Sequence, residues 1–245
     1  MCIKEDWLEK RFGVITATEV SAMMGLNPYL HPSQLFQNKK NRTKVAIDDD
    51  RFLRAGQMLE SGAIQFALKY DFGIHAGRFD SYEFFQKGYL GSTPDGFIEK
   101  IDEEIFFNNT NNAHLLEMIK GENVLLEYKT GGTTKLKTWM ECPPVSYLLQ
   151  CQTQLITMPE MEKVILVLCL RNDTLPISIW KIDRNKELQN MILNESKKFQ
   201  DCIRKDLSYE IASHISIITQ ELASHTSEFL CHGKGHKLDR YGETF

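Results

Sequence analysis

Two residues of opposite charge stand one apart in the segment Val124-Leu125-Leu126-Glu127-Tyr128-Lys129-Thr130. In an extended strand successive side chains alternate between faces, so Glu127 and Lys129 share one face while Tyr128 takes the other. The segment is apolar before it turns polar, the pattern of a buried strand with a polar end. A carboxylate fixed beside an ammonium suits hydrolysis of a phosphodiester. Oxygens of Glu127 and of a second acid can hold Mg²⁺ or Mn²⁺, while Lys129 orients a water and stabilises developing negative charge. Asp95, within Ser92-Thr93-Pro94-Asp95-Gly96, is a candidate second ligand, and Glu60 can complete the metal shell or position the water. A main-chain carbonyl next to Glu127 can add a further oxygen. An acid-x-lysine triplet also occurs as a solvated edge pair, and Pro-Asp-Gly also occurs as a simple turn in which glycine supplies positive φ.

The elements that must position these groups follow from periodicity. Residues 16–25 read as a short helix, begun by hydroxyl residues and ended at Gly25. The stretch 27–50, with Pro28, Pro32, several lysines and Asp48 to Asp50, reads as a polar excursion. From residue 51 to 70, Leu53, Gly56, Leu59, Ala63, Phe66 and Ala67 recur at helical spacing, Gly73 follows as a stop, and Glu60 lies mid-helix. Short strands are expected over 78–99, with a turn at Gly88 and Asp95 at a strand boundary. Residues 103–123 read as an inserted hairpin around an asparagine-rich tract. Pro143 and Pro144 open a helix running to about residue 158, strands follow at 162–170 and 176–182, and helices are expected at about 186–205 and 207–230. A polar tail ends the chain.

At 245 residues, one domain is the default expectation. A formal charge of −4 and a pI near 6.0 advertise no global positive field, so nucleic-acid contact would have to come from local basic groups. Carboxylates around a cation fit that acidic balance, because the bound ion supplies positive charge. The six cysteines are scattered and form no CxxC pair, which suits a reduced, intracellular protein and argues against clustered thiolates of an iron–sulfur centre. Cys231, His232 and His236 lack a nearby fourth zinc ligand. No apolar run is long enough to span a bilayer, and the acidic start does not resemble a secretory signal.

Five ordered blocks sharpen this reading: 11–20 (Arg11 to Val20), 55–60 (Ala55 to Glu60), 92–96 (Ser92 to Gly96), 126–129 (Leu126 to Lys129) and 147–154 (Tyr147 to Gln154). In this order they resemble the phage lambda exonuclease and YqaJ viral recombinase family of PD-(D/E)XK nucleases, over roughly residues 7–204. The resemblance implies an α/β fold with a restriction-endonuclease-like core, a central mixed β-sheet flanked by helices, to which the inserted hairpin and C-terminal helices would be added. It implies metal binding by Asp95 and Glu127, a water-activating role for Lys129, and completion of the active site by Glu60 and Gln150. On helix geometry Gln150 and Gln154 share a face and Gln152 does not, so polar helix surface remains an alternative for all three. The first block implies a pocket for a terminal 5′-phosphate built from Arg11 and a hydroxyl of Thr16 or Thr18. An arginine fork and a helix N-terminus both suit phosphate, although either threonine could instead cap that helix.

The function so implied is a Mg²⁺-dependent deoxyribonuclease, with Mn²⁺ as a second candidate metal, that digests linear double-stranded DNA from its 5′ ends and leaves 3′ single strands for recombination or repair. An endonuclease or nickase on the same core, and a non-catalytic DNA-binding protein, are the competing classes. The resemblance further implies a homo-oligomeric ring around DNA and a single-strand annealing protein as partner. The segment between Asp95 and Glu127 and the C-terminal part after about residue 206 depart from the family pattern.

Overall fold

The structure, a computed structural model, describes residues 3–43, 55, 58–80, 83–110, 113–120, 123–132, 136–171 and 177–233. A six-stranded mixed sheet forms its centre. Its strands, in spatial order, are β2 (Ile74–Gly77), β5 (Gly96–Ile101), β6 (Val124–Gly132), β7 (Lys163–Arg171), β8 (Ile177–Asp183) and β9 (Ser227–Gly233). Only β6 and β7 run parallel; the other neighbours are antiparallel. A second sheet joins β1 (Ile15–Thr16), β4 (Leu90–Ser92) and β3 (Phe85–Lys87), with β4 in the middle.

The near-continuous apolar runs of β6 and β7 arise because both faces of the large sheet are covered. On one face, Leu125, Val164, Leu166, Leu168 and Trp180 pack in a cluster with Leu148, Leu149, Ile192 and Phe199. These last four come from α8 (Val145–Thr157), which the short α7 (Leu136–Glu141) precedes, and α9 (Lys186–Lys205). On the other face, Leu126, Ile165, Val167 and Ile179 pack with Leu68, Phe72, Phe106 and Leu116. Leu68 and Phe72 belong to α4 (Gln65–Phe72), which follows a π-helical turn at Glu60–Ile64. Gly73 ends that helix at φ 63°, a left-handed position that glycine takes at little cost.

Helix α9 has the clearest amphipathic pattern: Leu188, Ile192, Ser196 and Phe199 are buried, and Asn185 caps its first turn by accepting from the Leu188 N–H at 2.9 Å. Arg184, just before it, donates to the main-chain carbonyls of Leu155, Met158, Pro159 and Met161 at 2.6–3.1 Å. One guanidinium therefore satisfies carbonyls around the end of α8 that would otherwise lack partners.

Several expectations change on the structure. Residues 16–25 contain only one turn of helix, α2 (Val20–Met23), because Ile15 and Thr16 are drawn into a strand beside Leu90 and Gly91. The polar excursion includes α3 (Pro32–Lys40), whose Leu35 and Phe36 are buried. His31 and Gln34 form a reciprocal cap there, a start signal masked by the lysine-rich composition. Its continuation over 44–50 lies outside the described residues.

The inserted segment is a pair of helices, α5 (Glu103–Thr110) and α6 (Ala113–Ile119), instead of the expected strand hairpin. Leu116 and Ile119 recur three apart and are buried, and Asp102 accepts from the Ile105 N–H at 3.2 Å. Helical spacing and an N-cap outweigh the strand-like composition.

The helix at 186–205 is found as read. The next is α10 (Ser213–Ser224), shorter than expected, and β9 follows it as an edge strand of the main sheet. The C-terminal part is thus not purely helical; the tail over 234–245 and the asparagines 111 and 112 fall outside the described residues. Among the described residues, no helix is long and apolar enough to cross a membrane, and Cys142, Cys151, Cys169 and Cys202 are free thiols.

Candidate active site

The antiparallel register of β5 and β6 pairs Gly96 with Leu126 and Phe97 with Leu125. Extended by one step, it brings Asp95 opposite Glu127. The Tyr128 N–H closes this junction by donating to Asp95 Oδ2 at 2.8 Å. Glycine is required after Asp95 for a reason other than the anticipated positive φ. Gly96 is not among the positive-φ residues, but a Cβ there would stand 2.5 Å from the Gly77 carbonyl oxygen. Close approach of β2 to β5 is what the small residue permits.

Glu127 is 1 % exposed and lies on the sheet face covered by α8. Burying a carboxylate costs several kcal/mol unless its oxygens find donors. Three N–H donors meet it: Lys129 Nζ and Gln150 Nε2 both donate to Oε1, and Gln154 Nε2 donates to Oε2. Lys129 also donates to the Tyr128 carbonyl at 3.1 Å and lies over the Tyr147 ring, 5.6 Å from its centroid. Its side chain is 20 % exposed, so the ammonium reaches the outside of the site while Glu127 forms its floor.

The three glutamines separate as helix geometry requires. Gln150 and Gln154, one turn apart, face Glu127. Gln152 turns away, donating to the Asp183 carbonyl at 2.6 Å and accepting from Asn185 N–H at 3.1 Å and Gln189 Nε2 at 3.0 Å. The polar-surface alternative fails for all three, since each is buried. Gln154 joins Gln150 at the Glu127 carboxylate, and its amide oxygen has no hydrogen-bond partner among the described residues.

Burial, with the negative charge of Asp95 adding to it, pushes the Tyr128 phenol far above its usual range. Burial and the charge of Glu127 likewise raise Cys151, which keeps its thiol protonated and excludes it as a nucleophile. Lys129 is then the one basic side chain bonded to the Glu127 carboxylate among the described residues.

Glu60 lies in the π-helical turn, whose backbone packs against β6; its side chain falls outside the described residues. Asp95, Glu127 and the Tyr128 carbonyl are all oxygen donors, which suits a hard divalent cation such as Mg²⁺ or Mn²⁺. No group of three or more His, Cys, Asp or Glu gathers as a candidate metal cluster among the described residues. The donor set fits a cation held by two carboxylates with main-chain oxygen and water.

A second cluster adjoins the first. Trp7 and Arg11 lie on α1 (Ile3–Gly13), with the guanidinium 4.4 Å from the indole centroid. Trp7 Nε1 donates to Thr93 Oγ1 at 3.3 Å, two residues before Asp95. Thr16 is 2 % exposed, and its hydroxyl donates to Glu19 Oε2 at 2.8 Å. Thr18 is exposed, with its hydroxyl 3.1 Å from that of Thr16.

Neither threonine caps α2. Glu19 occupies the N-cap position, and its carboxylate accepts from the Thr16 N–H at 2.8 Å. With four residues, α2 is also too short for the helix-terminus contribution expected from sequence.

The model of the YqaJ-like viral recombinase domain matches residues 6–158, more than half of the chain. The chain belongs to this family. The matched region of the YqaJ-like domain begins in α1 and ends just after α8, so it contains both clusters. The uncharacterized protein YqaJ of Bacillus subtilis (strain 168) is 27 % identical over 199 residues, which cover 80 % of this chain and 55 % of that protein. The chain therefore spans about half the length of that relative.

In fold, the YqaJ-like chain is similar to the crystal structure of the alkaline exonuclease LHK-Exo from Laribacter hongkongensis. The TM-score is 0.60 at 18 % identity, covering 89 % of this chain and 98 % of that one. LHK-Exo in complex with dAMP gives 0.58 at 19 % identity with the same coverage.

Replacing Gly96 by alanine should lower stability by about 1–3 kcal/mol through overpacking against Gly77. Gly132→Ala, where nothing among the described residues lies within 4 Å of the added Cβ, should change it little. Denaturant unfolding of the two variants checks this, and equal effects would contradict the close-approach account.

Proposed function

We propose that this chain is a metal-dependent deoxyribonuclease that digests linear double-stranded DNA from 5′-phosphorylated ends, leaving 3′ single strands for recombination or repair. The observation that carries the reading is the joint placement of Asp95, Glu127 and Lys129 at the β5–β6 junction, with Gln150 bonded to Glu127. Family membership supports it, as does the likeness of fold to an alkaline exonuclease.

In this reading Asp95 and Glu127, with Glu60 nearby, hold Mg²⁺ or Mn²⁺. Bound there, the cation would polarise the scissile phosphate and acidify a water. Lys129 orients that water and offsets negative charge growing on the phosphate oxygens. Gln150 and Gln154 fix the Glu127 carboxylate so that it need not reorganise as the substrate enters. The water oxygen bonds to phosphorus, the bond from phosphorus to the 3′ oxygen of the terminal nucleotide breaks, and that oxygen takes a proton.

Such a cut releases a 5′-mononucleotide, the class to which the dAMP bound by LHK-Exo belongs. It also leaves a new 5′-phosphate on the next nucleotide. A pocket for that group thus finds its ligand again after every turnover. Arg11, half-buried and making no ion pair among the described residues, supplies the charge for it. Thr18 supplies the hydroxyl, because the Thr16 hydroxyl already donates its hydrogen bond to Glu19.

The test is Mg²⁺-dependent digestion of duplexes labelled at either end, with and without a 5′-phosphate, beside a closed circle. Loss of label first from phosphorylated 5′ ends supports the reading, whereas cleavage of the circle would replace it with an endonuclease. Lys129→Ala should lower turnover by about 10²-fold or more while duplex binding persists; normal turnover by the folded variant would remove Lys129 from the chemistry. Arg11→Ala should impair phosphorylated ends selectively, and an equal loss on hydroxyl ends would count against the pocket.

A further inference from the structure

Lys39 is the buried charge that the proposed chemistry leaves unused. Although it lies in a segment of polar composition, it is only 7 % exposed. Its ammonium donates to the Arg11 carbonyl at 2.7 Å and forms an ion pair with Glu19 Oε2 at 2.7 Å. That same oxygen receives the Thr16 N–H and the Thr16 hydroxyl. One carboxylate oxygen and one ammonium therefore tie together the end of α1, the Thr16–Thr18 loop and α3.

An acid is a costly choice for this knot, because it stands beside the group that would receive an anion. Glu19 acts electrostatically on the Arg11 guanidinium, so an uncompensated charge on Glu19 would also repel a phosphate bound by Arg11 and Thr18. Lys39 removes that charge without occupying the pocket. Its ammonium is spent on Glu19 and a carbonyl, while the Arg11 guanidinium, stacked on Trp7, has no carboxylate within ion-pair distance among the described residues. The Lys39 side chain is 4 % exposed and that of Glu19 25 %, so the pair is screened less than one between fully exposed side chains.

Hydroxyl protons point the same way. The Thr16 hydroxyl donates its single hydrogen bond to Glu19, leaving the Thr16 oxygen as an acceptor for Thr18. The exposed Thr18 hydroxyl can then turn from Thr16 to an incoming phosphate oxygen.

We propose that Lys39 is a positioning residue that determines specificity for the 5′-phosphate: it neutralises Glu19, so the carboxylate can order the Thr16–Thr18 loop without repelling the anion. This inference rests on the end-recognition reading above.

A charge cycle on the full chain tests it, using Lys39→Met, Glu19→Gln and the double variant. The readout is the ratio of kcat/KM for 5′-phosphorylated over 5′-hydroxyl duplex ends, with KM and kcat separated. The ratio is insensitive to the fraction of enzyme folded. Lys39→Met should reduce it about ten-fold, mainly through KM on the phosphorylated end. The double variant, which removes both charges, should return the ratio to within about three-fold of the parent.

Lys39→Arg should keep the ratio. A low ratio in the double variant, or an unchanged ratio in Lys39→Met, overturns the proposal. Where Lys39→Met fails to fold, Glu19→Gln alone decides: it should raise the ratio, and a ratio unchanged or lowered overturns the proposal. A parent protein that shows no preference between the two ends overturns the end-recognition reading itself, and this inference with it, a result separate from the failures of the variants.

Discussion

A carboxylate buried to 1 % exposure on the central sheet sets the terms for the elements around it. Glu127 can remain there because N–H donors reach both of its oxygens, and two of the three donors come from one face of α8. The helix must cross the sheet at the height and rotation that present Gln150 and Gln154 together. Its other side is fixed by Gln152, which bonds to the turn between β8 and α9, and its far end by the Arg184 guanidinium. A buried polar network of this sort rigidifies when satisfied and destabilises when broken. The strand, the helix and the following turn therefore form one positioning unit, with Lys129 at its accessible edge.

The second cluster depends on the same economy of buried charge. Lys39 and Glu19 join segments that are neighbours only in the folded chain, and Trp7 extends the connection to Thr93, two residues from Asp95. The proposed phosphate pocket and the proposed cleavage centre thus stand on a continuous set of contacts. A fixed spacing between them suits a reaction in which the anchored terminal phosphate determines which bond is presented for cutting.

Much of the centre is legible in the sequence because its geometry is local. Alternation along β6 places Glu127 beside Lys129, and the turn of a helix places Gln150 with Gln154 and apart from Gln152. The second cluster is less legible because its meaning comes from tertiary contacts. Nothing in the lysine-rich run containing Lys39 marks that residue as buried, and nothing local tells which of Thr16 and Thr18 has its hydroxyl already engaged. Gly96 shows the same limit: Pro-Asp-Gly has the form of a turn, while the constraint on its glycine is set by Gly77, nineteen positions earlier in the chain and on a neighbouring strand. The helices at 103–119 are obscured by apolar residues common to strands, and β9 is identified by its antiparallel pairing with β8, a tertiary contact.

The most direct measurement of the central claim is calorimetric titration of Mn²⁺ into the purified chain, its Glu127→Gln variant and its Asp95→Asn variant, with folding of each checked by circular dichroism. The account predicts saturable binding to the parent protein and loss of that binding in both folded variants, because each substitution removes an anionic oxygen from the proposed cation site. Binding of the same affinity and stoichiometry in all three would contradict it, leaving the buried carboxylate a structural element.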